Sequence, residues 1–104
     1  VTLQQATSEL DRMIPEITKE NYTQYYDRFT QVILQYRDAG GLGKPLSDFL
    51  HRAWKASWSE DEWKQEVIED AASQMIGFCI PSRYIRFPDS GSFVSTWQSG
   101  GTGR

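Results

Sequence analysis

The stretch Trp58–Cys79, WSEDEWKQEVIEDAASQMIGFC, constrains what this chain can fold into more than any other segment. Ser59 followed three residues later by Glu62 has capping-box spacing. In that arrangement the Ser hydroxyl accepts from the Glu backbone N–H, and the Glu carboxylate reaches back to the Ser N–H. Trp58 and Trp63 stand at the spacing of a hydrophobic staple across the same cap. Glu60, Asp61 and Glu62 set negative charge against the unpaired N–H groups of the first turn. At the far end Gly77 permits a left-handed terminating residue, and Pro81 has no N–H with which to continue. The segment is therefore predicted to be a helix with defined ends.

Its apolar residues say where that helix sits. At about 100° per residue, Trp63, Val67, Ile68, Ala71, Ala72, Met75 and Cys79 cover roughly half the circumference. A single neighbour covers a narrower stripe, so the helix is expected in a groove between two others. Glu62, Glu66, Glu69 and Ser73 form a polar strip on the opposite side. Carboxylates at helical spacing are most often a solvated face; their functional reading is a cation site or a docking face for a basic partner.

Two further amphipathic helices precede a glycine-rich link. Leu3, Ala6, Leu10, Met13, Ile14 and Ile17 recur at three- and four-residue steps, Thr2 and Gln5 have capping-box spacing, and Pro15 predicts an end or kink near Met13. Asn21 is a preferred cap for a second helix that ends at Gly40–Gly41. Tyr22, Tyr25, Tyr26, Phe29, Val32, Ile33 and Tyr36 form its stripe, which reads as core with hydroxyls reaching the rim rather than as a stacking wall for a ligand. The link AGGLGKP lacks the Gly-Lys-Ser/Thr ending of a phosphate-binding loop, because Gly43-Lys44 is followed by Pro45. Ser47 is then the expected cap of a short helix from Asp48 to Ala56, with Leu46, Phe49, Leu50, Ala53 and Trp54 inward.

Beyond Pro81 the period changes. Arg83–Phe87 and Ser92–Trp97 flank the turn sequence PDSG, a pattern that predicts a β-hairpin. Two strands alone are marginal in water, so the arm is expected to pack on the helices. Arg83 and Arg86 alternate with Tyr84 and Phe87, an interleaving suited to single-stranded nucleic acid or an acidic peptide. A structural use competes with it: pairing of both arginines with the acidic strip, which would pin the arm down.

Composition removes several functions. A net charge of -3 argues against a dedicated nucleic-acid binder, which needs a clustered positive field. No apolar run reaches the length of a membrane span. One cysteine cannot form an internal disulfide, so an intracellular, cytoplasmic setting is the default expectation. His51 is the sole histidine, one turn after Asp48, and no second His or Cys pair completes a metal site. A Cys79–His51 nucleophile pair is formally open, yet Cys79 continues an apolar face where a thiol is an inert small hydrophobe. No cofactor or metal is expected.

The 104 residues suit one domain with a modest core. The expected architecture is mainly α: a small four-helix domain over residues 1–98, with a C-terminal β-hairpin or extended arm packed on it, and a flexible tail over 99–104. The expected function is a non-catalytic protein-interaction domain of adaptor, inhibitor, immunity or assembly-subunit type. Its partner would be another protein, a second copy included, met by Glu62, Glu66, Glu69, Arg83, Tyr84, Arg86 and Trp97. The competing reading is a small enzyme or ligand carrier with a pocket near His51 and the tyrosines of the second helix.

Overall fold

The computed structural model describes residues 1–57, 62–76 and 84–89. Among the described residues four helices carry the fold: α1 Leu3–Met13, α2 Tyr22–Asp38, α3 Gly43–Ala56 and α4 Glu62–Ile76, with a short 3-10 turn at Ile14–Glu16. No described helix is long and apolar enough to cross a membrane.

The start of α1 is the capping box its sequence predicts. Gln5 N–H donates to Thr2 Oγ1 at 3.1 Å, and Thr2 N–H donates to Gln5 Oε1 at 2.9 Å. Pro15, which has no N–H to continue the ladder, ends the helix in the 3-10 turn. Asn21 stands at the N-cap position of α2 but its side chain works backwards. Its Oδ1 accepts from Thr18 N–H at 2.6 Å and its Nδ2 donates to the Glu16 carbonyl at 2.9 Å, so it ties the α1–α2 connection together instead of capping the helix. The other end of α2 closes as a Schellman motif. Gly40 takes φ +93° and its N–H reaches Arg37 O, while Gly41 N–H reaches Tyr36 O.

Helix α3 departs from expectation. It begins at Gly43, a full turn before the Asp48 start that Ser47 signals, and Ser47 is buried inside it. The reason is a cap from far along the chain. Leu42 at the N-cap has no acceptor, but the Asp89 carboxylate accepts from Gly43 N–H at 2.7 Å and Lys44 N–H at 3.0 Å. Pro45 fits because first-turn N–H groups have no intrahelical partner anyway.

As its wide apolar face requires, α4 packs on both α2 and α3; α1 lies on α2 and touches α3. The core is filled by Leu10, Met13, Ile17, Phe29, Ile33, Leu46, Leu50, Val67, Ile68 and Met75, all essentially sealed from solvent. Tyr22 and Trp63 join α2 to α4 at the rim, ring centroids 4.7 Å apart. The predicted Ser59 cap, Trp58 staple, Gly77 and Pro81 stop, and Cys79 lie outside the described residues. So do Ser92–Trp97 and the tail at 99–104. Among the described residues there is no strand: Tyr84–Phe87 is a non-helical segment leading into a turn at Pro88–Asp89.

Candidate functional site

The arm formed by residues 84–89 has two sides. Ile85 and Phe87 are buried, whereas Arg86 and Pro88 are exposed and Tyr84 is half-buried. The inward residues fasten it. Ile85 N–H donates to the Gln74 carbonyl of α4 at 2.8 Å, the Phe87 ring meets Tyr36 with centroids 6.1 Å apart, and Asp89 caps α3. Outside, the Arg86 guanidinium lies 5.5 Å from the centre of the Tyr84 ring, a cation–π pair at the surface.

Glu62, Glu66 and Glu69 are exposed on α4, as the strip predicts. Glu66 receives the Tyr26 hydroxyl at 3.3 Å; burial first, then the nearby Glu66 carboxylate, pushes that phenol up to about 12. Among the described residues nothing pairs with the Glu62 and Glu69 carboxylates, and no ion pair joins Arg86 to the strip. The arm is thus held by a backbone bond, an aromatic contact and a helix cap, rather than by the Arg86 pairing that charge alone suggests. Glu69 is five residues from Gln74, about 7.5 Å of axial rise along the same helix. Arg83 and Trp97 lie outside the described residues.

Gln74 is a site residue that helical periodicity does not announce. It is buried, and its amide bridges elements: Nε2 donates to Asp70 at 2.9 Å, and Oε1 stands 3.2 Å from the Thr30 hydroxyl of α2. The signal available in the sequence is one polar residue among Ala71, Ala72, Met75 and Ile76, and period alone cannot separate it from the solvated strip.

Three of the four tyrosine hydroxyls of α2 serve the fold. Tyr25 donates to Glu16 at 3.0 Å, Tyr26 to Glu66, and Tyr36 to the Leu42 carbonyl at 2.7 Å. His51 is half-buried beside Trp54, ring centroids 6.3 Å apart. Burial, then Lys55, lowers its pKa below the usual histidine value, with Asp48 opposing. Asp48 itself pairs with Lys44 Nζ at 3.1 Å. A groove of about 770 Å³ runs between α1 and α2 beside Arg12 and Arg28; neither His51 nor the tyrosines line it. Among the described residues no group of three or more His, Cys, Asp or Glu is placed to hold a metal ion.

No family model matches this chain, and no curated protein or solved structure matches it either.

Proposed function

We propose that this chain is a non-catalytic protein-interaction domain, of adaptor, inhibitor or assembly-subunit type, that docks through the outward side of the arm and the adjoining acidic face of α4. The observation that carries this reading is the two-sidedness of the arm. Its inward residues are seated in the body, so Tyr84 and Arg86 are presented from a fixed base rather than from a loose segment. Preorganisation of this kind lowers the ordering cost of association. Tyrosine and arginine are also the residue types that carry binding energy most often at protein interfaces.

Glu62 and Glu69, which pair with nothing among the described residues, add a charge signature. A surface with Arg86 at one end and carboxylates along the helix suits a partner that presents an acidic group beside a basic stripe. Such pairing tunes the rate of encounter and the choice of partner more than the affinity. A second copy of the chain carries both kinds of charge and qualifies as that partner.

The test is capture from native lysate with three baits: the unaltered chain, Arg86→Glu, and the double variant Glu62→Lys/Glu69→Lys. Exposed substitutions of this kind change stability by less than about 0.5 kcal/mol, which thermal melts verify. The reading expects one protein retained by the unaltered chain and lost from both variants. Sedimentation of the purified chain, with and without Arg86→Glu, covers self-association. Identical capture by all three baits, with identical sedimentation, refutes it.

A further inference from the structure

The first turn of α3 is made of residues that do not start a helix well by themselves. Leu42 at the cap has no side-chain acceptor, Gly43 is among the poorest helix formers, and Pro45 contributes no N–H. The carboxylate that satisfies the first two N–H groups comes from Asp89, 46 and 45 residues further along. One turn later the chain carries a second, local start signal. Ser47 is a preferred capping residue, Asp48 would place negative charge in the first turn, and the Ser47 hydroxyl would reach the N–H of Leu50. The same segment therefore has two helix starts, one that depends on the arm and one that does not.

We propose that residues 43–46 are a two-state element governed by the arm. With Asp89 seated, the helix begins at Gly43; with the arm lifted, these residues unwind and the helix begins at Ser47. Leu46, fully buried within this turn, sets the balance, because unwinding removes it from the core. The seated form is therefore the ground state. Tyr36 carries the change to the end of α2, since it touches both moving parts: its ring packs on Phe87 and its hydroxyl bonds the Leu42 carbonyl.

A ligand shifts such an equilibrium only through different affinity for the two states. A protein that docks on Tyr84 and Arg86 of the seated arm would favour the Gly43 start and hold the corner formed by the α2–α3 link closed. That last step rests on the outward arm being a docking surface; the two helix starts do not.

The experiment is residue-resolved amide hydrogen exchange on the full chain. In the unaltered protein, Gly43, Lys44 and Leu46 are expected to exchange through an opening that leaves Leu50–Ala53 protected at least tenfold better. Asp89→Ala should speed exchange at Gly43, Lys44 and Leu46 by tenfold or more while changing Leu50–Ala53 by less than threefold. Adding Ser47→Ala to Asp89→Ala should extend the fast exchange to Leu50, whereas Ser47→Ala alone should leave it protected. The proposal fails if residues 43–46 open only together with the rest of α3 in the unaltered chain. It fails equally if Asp89→Ala leaves them protected. The measurement on the unaltered chain decides the matter even if Asp89→Ala does not fold. None of these readouts involves a partner, so failure of the docking reading leaves them intact.

Discussion

Replacing Gly41 by alanine tests the corner between α2 and α3 at its tightest point. A Cβ built on Gly41 falls inside the van der Waals envelope of Cε1 and Cζ of the Tyr36 ring. That ring has no room to yield: Tyr36 is 4% exposed, packs against Phe87, and holds the Leu42 carbonyl with its hydroxyl at 2.7 Å. Overpacking a filled site costs about 1–3 kcal/mol. Displacing the ring also breaks the hydroxyl bond, about 1 kcal/mol more. The sum is about 2–4 kcal/mol, or about 10–25 °C in Tm for a domain of this size. Gly40→Ala is the control, because Gly40 has φ +93° and open space around its missing Cβ. Its cost is the backbone term alone, about 1–2 kcal/mol. Denaturant unfolding of a double-mutant cycle separates the two causes. In a Tyr36→Ala background the Gly41→Ala cost should nearly vanish, while the Gly40→Ala cost should persist. The reasoning is refuted if Gly41→Ala costs less than Gly40→Ala, or costs the same with and without the Tyr36 ring.

Two further outcomes are expected. Asn21→Ala removes both bonds that tie Thr18 and Glu16 and should lower the unfolding free energy by about 1–2 kcal/mol, read from the urea midpoint; Asn21→Asp keeps the acceptor alone and should recover part of it. The Tyr26 phenol has its pKa raised from 10.0 to about 12 in the folded chain, so the folded state holds that proton more tightly than the unfolded state. Its contribution is complete below pH 10 and is lost as pH rises through about 12; melts between those limits should show a steeper loss for the unaltered chain than for Tyr26→Phe.

Features that local sequence encodes were legible in it. The α1 capping box, the Gly40–Gly41 termination, and the position of α4 between two neighbours all follow from spacing within one segment. The carboxylates of Glu62, Glu66 and Glu69 are exposed where helical period puts them. In the arm Ile85 and Phe87 alternate with Arg86 between inside and outside, and among the described residues no strand is present. What escaped depends on residues meeting across the fold. The start of α3 belongs to Asp89, Asn21 serves the turn before it rather than the helix after it, and the buried Gln74 amide accepts from Thr30 and donates to Asp70. Arg86 was readily matched to the acidic strip by charge, yet it rests on the ring of Tyr84, and solvation makes that exposed alternative competitive.

The ties that close this fold share one property, their reach along the chain. Lys64 Nζ holds the Ile17 carbonyl across 47 residues, Gln74 meets Thr30 across 44, and Asp89 meets Gly43 across 46. A ribosome adds about 5–20 residues each second, so every early half-site waits roughly 2–9 seconds for its counterpart to be made. Through that interval Phe29, Ile33, Leu46 and Leu50 have no α4 to cover them, which makes the nascent first half of this chain a natural client for a holding chaperone.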